Sequence, residues 1–204
     1  SLPGRFFDLR IEPRHDGGEE NERCWIRDGP LNRMQPAAQH AMDGLILMGG
    51  PSPHYAWDEA ALMVQIQALC DGKRQWQLSG SRRTPKAFLE TLESLQVPGL
   101  TIHDADALPP GWLAAQLPLN RECWVSPDSA SMVYEALTAG CAVAVFDLPA
   151  RPDSRVAAVM QDLCDRQLVT PFDAYAVGSE PGVPALPFAE ADRCARRIIE
   201  RGWL

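Results

Sequence analysis

"WVSPDSASMVYEALTAGCAVAVF", residues 124–146, is the stretch on which the fold turns. An apolar, strand-like start ends near Ser126. Pro127 and Asp128 turn the chain, and Ser129 or Ser131 stands where a helix cap belongs. A helix over 129–139 then stops at Gly140, the residue that best tolerates the left-handed conformation closing a helix. "CAVAVFDL", residues 141–148, follows as an unbroken apolar run, the pattern of a parallel strand covered on both faces. Strand, turn, helix and strand in this order make one βαβ unit.

The same alternation extends in both directions. "LILMGGPSPHYAWDEAAL", residues 45–62, reads as a strand over 44–48, a glycine pair, and a helix over 57–70 with Ala60, Ala61, Val64, Ala68 and Leu69 at helical spacing. "WQLSG", 76–80, is a strand leading to "SRRTP", where Pro85 suits the first turn of a helix reaching about Leu95. "LTIHD", 100–104, is the next strand, Pro109–Gln116 a short helix, and "ECWVS", 122–126, the strand that opens the quoted stretch. A helix over 153–164, a short strand in "LVTPF" (168–172), a Pro/Gly-rich loop and a terminal helix from Ala189 to Arg201 complete the series. Strands alternating with helices predict an α/β fold, a Rossmann-like parallel sheet. Upstream, a strand over 6–12 and a short one in "RCWIR" (23–27) lie in a region, 13–40, rich in Gly, Pro and charge. The chain opens Ser-Leu-Pro-Gly without Met and enters a strand almost at once, so a preceding portion is expected.

Composition narrows the function classes. Of 204 residues, 46% are hydrophobic and 23% charged, enough to bury a substantial core. The net charge of −8 leaves no basic stripe for a nucleic-acid backbone, so nucleic acid is not expected as a partner. Lys73 and Lys86 are the two lysines, which leaves anion binding to arginines and backbone N–H groups. No apolar run reaches the ~20 residues of a membrane helix, and no signal peptide is visible. Cys24, Cys70, Cys123, Cys141, Cys164 and Cys194 form no CxxC pair and sit mostly in apolar surroundings. They read as small buried hydrophobes of a reducing cytoplasm, with neither a disulfide framework nor a zinc ligand set.

In a parallel sheet ligands sit beyond the C-terminal strand ends. That rule selects five loops: "PRHDGG", "GGPSPH", "SGSRRTP", "HDADA" and "SPDSASM". In the last, free N–H groups at a helix start, beside the hydroxyls of Ser129 and Ser131, can bind phosphate without lysine. Glu135, one turn on, can accept two hydrogen bonds from a ribose diol; a capped helix with a surface glutamate would have the same spacing. Gly49, Gly50 and Ser52 offer a second set of donors, or simply a strand-to-helix turn needing positive φ. Ser81, Arg82 and Arg83 bring paired guanidiniums to a third strand end, either as a bidentate diphosphate clamp or as two solvated side chains. Asp104 and Asp106 in "HDADA" are a weak match to a DxD metal loop, and no metal site is expected.

"FFDLRIEPRHD", "GPLNRM", "GGPSPHYAWD", "SGSRRTP" and "DSASMVYEALTAGCAVAVFDLP" together resemble successive motifs of the mitochondrial-fission ELM-like family, from about Phe6 to Pro149. That family is similar to the two-domain GT-B glycosyltransferases, whose C-terminal domain binds a nucleotide-sugar. The resemblance implies two parts: 1–40, the tail of an N-terminal α/β domain and its linker, and 41–204, a GT-B C-terminal-type domain with the terminal helix. It implies phosphate contacts for Gly49, Gly50 and Ser52, and phosphate and ribose contacts for Ser129, Ser131, Met132 and Glu135. The catalytic base of such enzymes often comes from the N-terminal domain, which makes His15 and Asp16 the catalytic candidates here, with His54 behind them.

The implied reaction is sugar transfer from a nucleotide diphosphate to an acceptor, without cofactor or metal. The implied location is cytoplasmic, with or without peripheral attachment to a membrane. Two alternatives stand beside it. One is a non-catalytic adaptor that recruits a protein partner, as plant relatives do in mitochondrial fission. The other is a nucleotide-sugar epimerase of the GT-B type. Short-chain epimerase chemistry is excluded. GxGxxG is absent, and Tyr55, Tyr134 and Tyr175 are followed four residues on by Glu59, Thr138 and Ser179, not by lysine. No P-loop is present either.

Overall fold

The computed structural model describes residues 7–14, 17–36, 42–176, 181–183 and 188–203. They fall into two compact units, Ser1–Arg33 with Ala189–Leu204, and Met34–Phe188. The smaller unit carries a parallel strand pair, β1 (Arg10–Pro13) and β2 (Cys24–Arg27).

The larger unit is a doubly wound α/β layer. Its strands are β3 (Met42–Leu47), β4 (Trp76–Ser79), β5 (Leu100–His103), β6 (Asn120–Val125), β7 (Ala142–Val145) and β8 (Thr170–Pro171). All pair in parallel, in the order β5-β4-β3-β6-β7-β8. Between them run α1 (Glu59–Leu69), α2 (Lys86–Ser94), the short α3 (Trp112–Gln116), α4 (Ala130–Ala139), α5 (Arg155–Asp165) and α6 (Phe172–Ala176). The expected Rossmann-like parallel sheet is therefore present, and its expected helices are found within two residues of the sequence reading, except that α3 opens at Trp112 rather than Pro109.

Local chemistry explains the boundaries. Asp58 caps α1 by accepting the Ala61 N–H at 3.0 Å, and Ser154 caps α5 by accepting that of Ala157 at 3.1 Å. Gly140 ends α4 with φ +88°, and the amides of Gly140 and Cys141 close onto the carbonyls of Leu137 and Ala136. The central strands β3, β6 and β7 carry the core, with Leu45, Ile46, Cys123, Trp124, Val143 and Ala144 all fully buried. In β3, Gly44 leaves room that the Trp76 ring of β4 fills; a Cβ at that position would overlap the ring. Trp124 in turn packs against Phe146, Phe172 and Tyr175, with ring centroids 4.9–5.7 Å away.

Two sequence expectations change. "LVTPF" holds only two strand residues, because Pro171 offers no N–H to continue a ladder; Phe172 instead opens α6, a helix the sequence reading did not find. The first strand begins at Arg10 among the described residues, later than expected.

The terminal helix α7 (Glu190–Glu200) belongs to the smaller unit. Arg193 forms a fork with Glu190 (2.8 Å to each oxygen) and donates to the Ile26 carbonyl at 2.7 Å, while Glu190 accepts the Asp28 N–H at 2.7 Å. Arg197 and Arg201 lie over the Trp25 ring, 4.3 and 5.1 Å from its centroid. Those contacts, none of them readable from spacing, tie α7 to β2 rather than to the sheet that precedes it in sequence.

Candidate functional site

The strand order reverses between β3 and β6: β4 and β5 lie to one side, β7 and β8 to the other. Loops leaving the C-terminal ends of two such strands diverge, and the crevice between them is where open α/β sheets take ligands. Here the two loops are 48–58, after β3, and 126–129, after β6. Three of the sequence-selected stretches, the glycine loop, "SRRTP" and "SPDSASM", meet at this point.

They meet in a bonded cluster. The Gly49 N–H donates to Ser126 Oγ at 2.7 Å, and the Gly50 N–H to Asp128 Oδ2 at 3.1 Å. Arg83 sets Nη2 2.8 Å from the same Asp128 Oδ2 and donates through Nη1 to the Gly50 carbonyl at 3.1 Å. The Asp128 side chain is 1% exposed, and its Oδ1 is buried without a hydrogen-bond partner among the described residues. From the "SRRTP" side, Ser81 Oγ donates to the Gly49 carbonyl at 2.5 Å, and Thr84 Oγ1 lies 2.6 Å from that oxygen and 2.9 Å from the Met48 carbonyl. Thr84 Oγ1 also accepts the Ser81 N–H at 2.7 Å.

This packing supplies the reason for the two glycines. A Cβ at Gly49 would overlap the Asp128 carboxylate. One at Gly50, where φ is +151°, would overlap the Arg83 carbonyl. Both glycine amides, expected to face phosphate, are taken up by Ser126 and Asp128. Ser52 is also engaged: its Oγ accepts the amides of His54 (3.1 Å) and Tyr55 (3.4 Å).

The start of α4 is different. Ser129 holds the N-cap position, but its side chain makes no cap hydrogen bond and lies 3.5 Å from Ser131 Oγ. The amides of Ala130, Ser131 and Met132 open the helix and have no carbonyl a turn earlier to meet. Ser129 is buried, Ser131 exposed, and Met132 packs partly on the core. Glu135 lies one turn on, half-buried, with no hydrogen bond or ion pair among the described residues. Burial alone pushes its carboxyl above the usual range. The expected arginine pair is divided: Arg83 is held by Asp128, whereas Arg82 is exposed and has no ion pair among the described residues.

The remaining candidates lie apart. His15 and Asp16 fall outside the described residues. His54 Nδ1 is 3.2 Å from Ser154 Oγ, at the cap of α5, a role that organises the loop. Asp104 Oδ1 accepts the Asp106 amide at 3.0 Å in a turn, and among the described residues no three His, Cys, Asp or Glu side chains gather as a metal site. No described helix is long and apolar enough to cross a membrane. Asp128, Ser126 and Thr84 were missed as site residues. An aspartate between a strand end and a helix cap, opposite an arginine pair, was the available signal.

Comparison with known structures supports the fold. MurG of Acinetobacter baumannii superposes with a TM-score of 0.52 at 16% identity, over 95% of this chain and 52% of that one. CalG4, the calicheamicin glycosyltransferase, gives 0.53 at 15% identity, over 96% and 49%. This chain spans about half the length of each. At these identities the likeness establishes the fold alone. A comparison with curated proteins gives no match. The sequence model of the Mitochondrial fission ELM1 family matches residues 1–202, nearly the whole chain, and the protein belongs to that family.

Proposed function

We propose that the Met34–Phe188 unit binds a nucleoside diphosphate sugar and that the protein transfers the sugar to an acceptor. The observation that carries this reading is the start of α4. First-turn amides and a half-buried Glu135, all without a hydrogen-bond partner among the described residues, lie with two serine hydroxyls at the strand-order reversal. Amides at a helix start hold a phosphate through N–H bonds and the helix dipole. Glu135 is ionised when it accepts from both hydroxyls of a ribose. A carboxylate raised in pKa by burial, and without a partner among the described residues, gains from such donors. Arg82, exposed and without an ion pair among the described residues, follows Ser81 at this edge in sequence and supplies positive charge to the second phosphoryl group. On transfer, the glycosidic bond to the diphosphate breaks and negative charge grows on the departing oxygen. Fixed amides and a guanidinium stabilise that charge without reorganising.

The MurG and calicheamicin glycosyltransferase likenesses are consistent with this chemistry. A second reading draws on the occupied glycine loop and on the family's description: a fold kept as a binding surface, acting as a non-catalytic adaptor in a membrane-fission process.

A melting-temperature panel of UDP, GDP, ADP, CMP and their sugars separates the two. A nucleotide at a hundred times its dissociation constant stabilises by about 2.7 kcal/mol. Selective stabilisation that disappears in Glu135→Ala supports nucleotide-sugar binding. No stabilisation by any of them favours the adaptor.

A further inference from the structure

We infer that Asp128 is a resident anion that closes the glycine loop to the ligand's phosphates and confines phosphate binding to the first turn of α4. The inference rests on the reading of that turn as an anion site and specifies how the site is limited.

A glycine loop needs three things to hold phosphate: free amides, space, and positive charge. None is free here. The Gly50 amide donates to Asp128 Oδ2, and the Gly49 amide to Ser126 Oγ. The space a Cβ would fill at Gly49 is occupied by the Asp128 carboxyl group. The positive charge is Arg83, already 2.8 Å from Asp128 and bonded to the Gly50 carbonyl. The side chain thus makes the contacts a phosphate oxygen would make: one backbone amide and one guanidinium on a single oxygen. Its second oxygen is buried without a partner among the described residues, so the carboxylate is under-satisfied and holds its one amide and one arginine against competitors. A dianionic phosphoryl group entering the loop would have to displace this carboxylate or lie against it. Either route is unfavourable in a partly dehydrated site. Ser129 follows Asp128 directly, so the closed loop and the open helix start adjoin. The charge of Asp128 therefore acts on a ligand at α4 as well as on one at the loop.

The outcome runs against the usual expectation for a residue at a binding site. Removing the charge strengthens anion binding. Inorganic pyrophosphate, titrated by calorimetry and by backbone-amide NMR into the full chain, is the probe. In the unaltered protein the amides of Ala130, Ser131 and Met132 shift, and those of Gly49 and Gly50 do not. In Asp128→Asn, which keeps an oxygen for the Gly50 amide, the affinity rises roughly tenfold, the size of one like-charge repulsion across half-solvated protein. The Gly50 amide then joins the responding set. Asp128→Ser, also neutral and oxygen-bearing, serves if the asparagine variant does not fold. The inference is overturned if Gly49 and Gly50 respond in the unaltered protein as strongly as α4 does. A folded Asp128 variant that binds no tighter also overturns it. Gain of binding only in the variant overturns the confinement to α4 together with the anion-site reading of the natural chain. Binding by the natural chain at α4 that weakens in the variant overturns the inference and leaves the anion-site reading standing.

Discussion

Gly49→Ala forces a methyl group onto the Asp128 carboxylate, and the carboxylate cannot retreat without leaving Arg83 and the Gly50 amide. The expected cost is about 2 kcal/mol or more, the range of overpacking at a site that cannot relax; urea unfolding midpoints measure it. Arg83→Met leaves Asp128 buried with one amide, and an uncompensated buried charge costs about 2–4 kcal/mol, discounted because the guanidinium is itself 44% exposed. Glu135→Gln has the opposite sign. Burial raises the Glu135 pKa, so the folded state holds its proton more tightly than the unfolded chain. Stability is then full below the unfolded carboxyl pKa and falls as pH rises from there through the raised folded value. Glutamine removes that fall and stabilises the protein at neutral pH by a few tenths of a kcal/mol, the scale for a half-exposed group. Melting curves from pH 4 to 8 that keep the same slope in the variant would contradict this. At this scale the sequence was half legible. Gly49, Gly50, Ser81, Arg83 and Ser129 were singled out, and they do meet at one point. Their partners were not legible, because Asp128 and Ser126 lie more than seventy residues from the glycines they bind, and nothing in spacing links them.

The elements were easier to read, because each is set by local chemistry. A side-chain cap at Ser154 opens α5, a glycine stop at Gly140 closes α4, and the apolar runs of β3 and β7 mark buried parallel strands. Gly140→Ala tests the best-defined stop: at φ +88° a Cβ costs about 1–2 kcal/mol, visible as a lowered unfolding midpoint with α4 otherwise intact. Where tertiary contacts override local pattern the reading failed. Pro171 ended β8 after two residues, and Phe172 and Tyr175 turned inward to the Trp124 ring, which holds α6. The placing of α7 with β2 rests on Arg193, Glu190 and Trp25, a set of partners drawn from opposite ends of the chain.

For the whole molecule, the reversal of strand order between β3 and β6 brings three of the candidate loops to a single place. That place has an open half, at α4, and a half filled by the protein's own carboxylate. The central claim is that a nucleoside diphosphate occupies the open half, with its ribose on Glu135. The most direct test is a crystal structure of the full protein with the nucleoside diphosphate that most raises its melting temperature. The account predicts phosphate oxygens within hydrogen-bond distance of the Ser131 and Met132 amides, both ribose hydroxyls on the Glu135 carboxylate, and the Asp128–Arg83 pair undisturbed. A nucleotide bound through the glycine-loop amides, or away from α4, would contradict it.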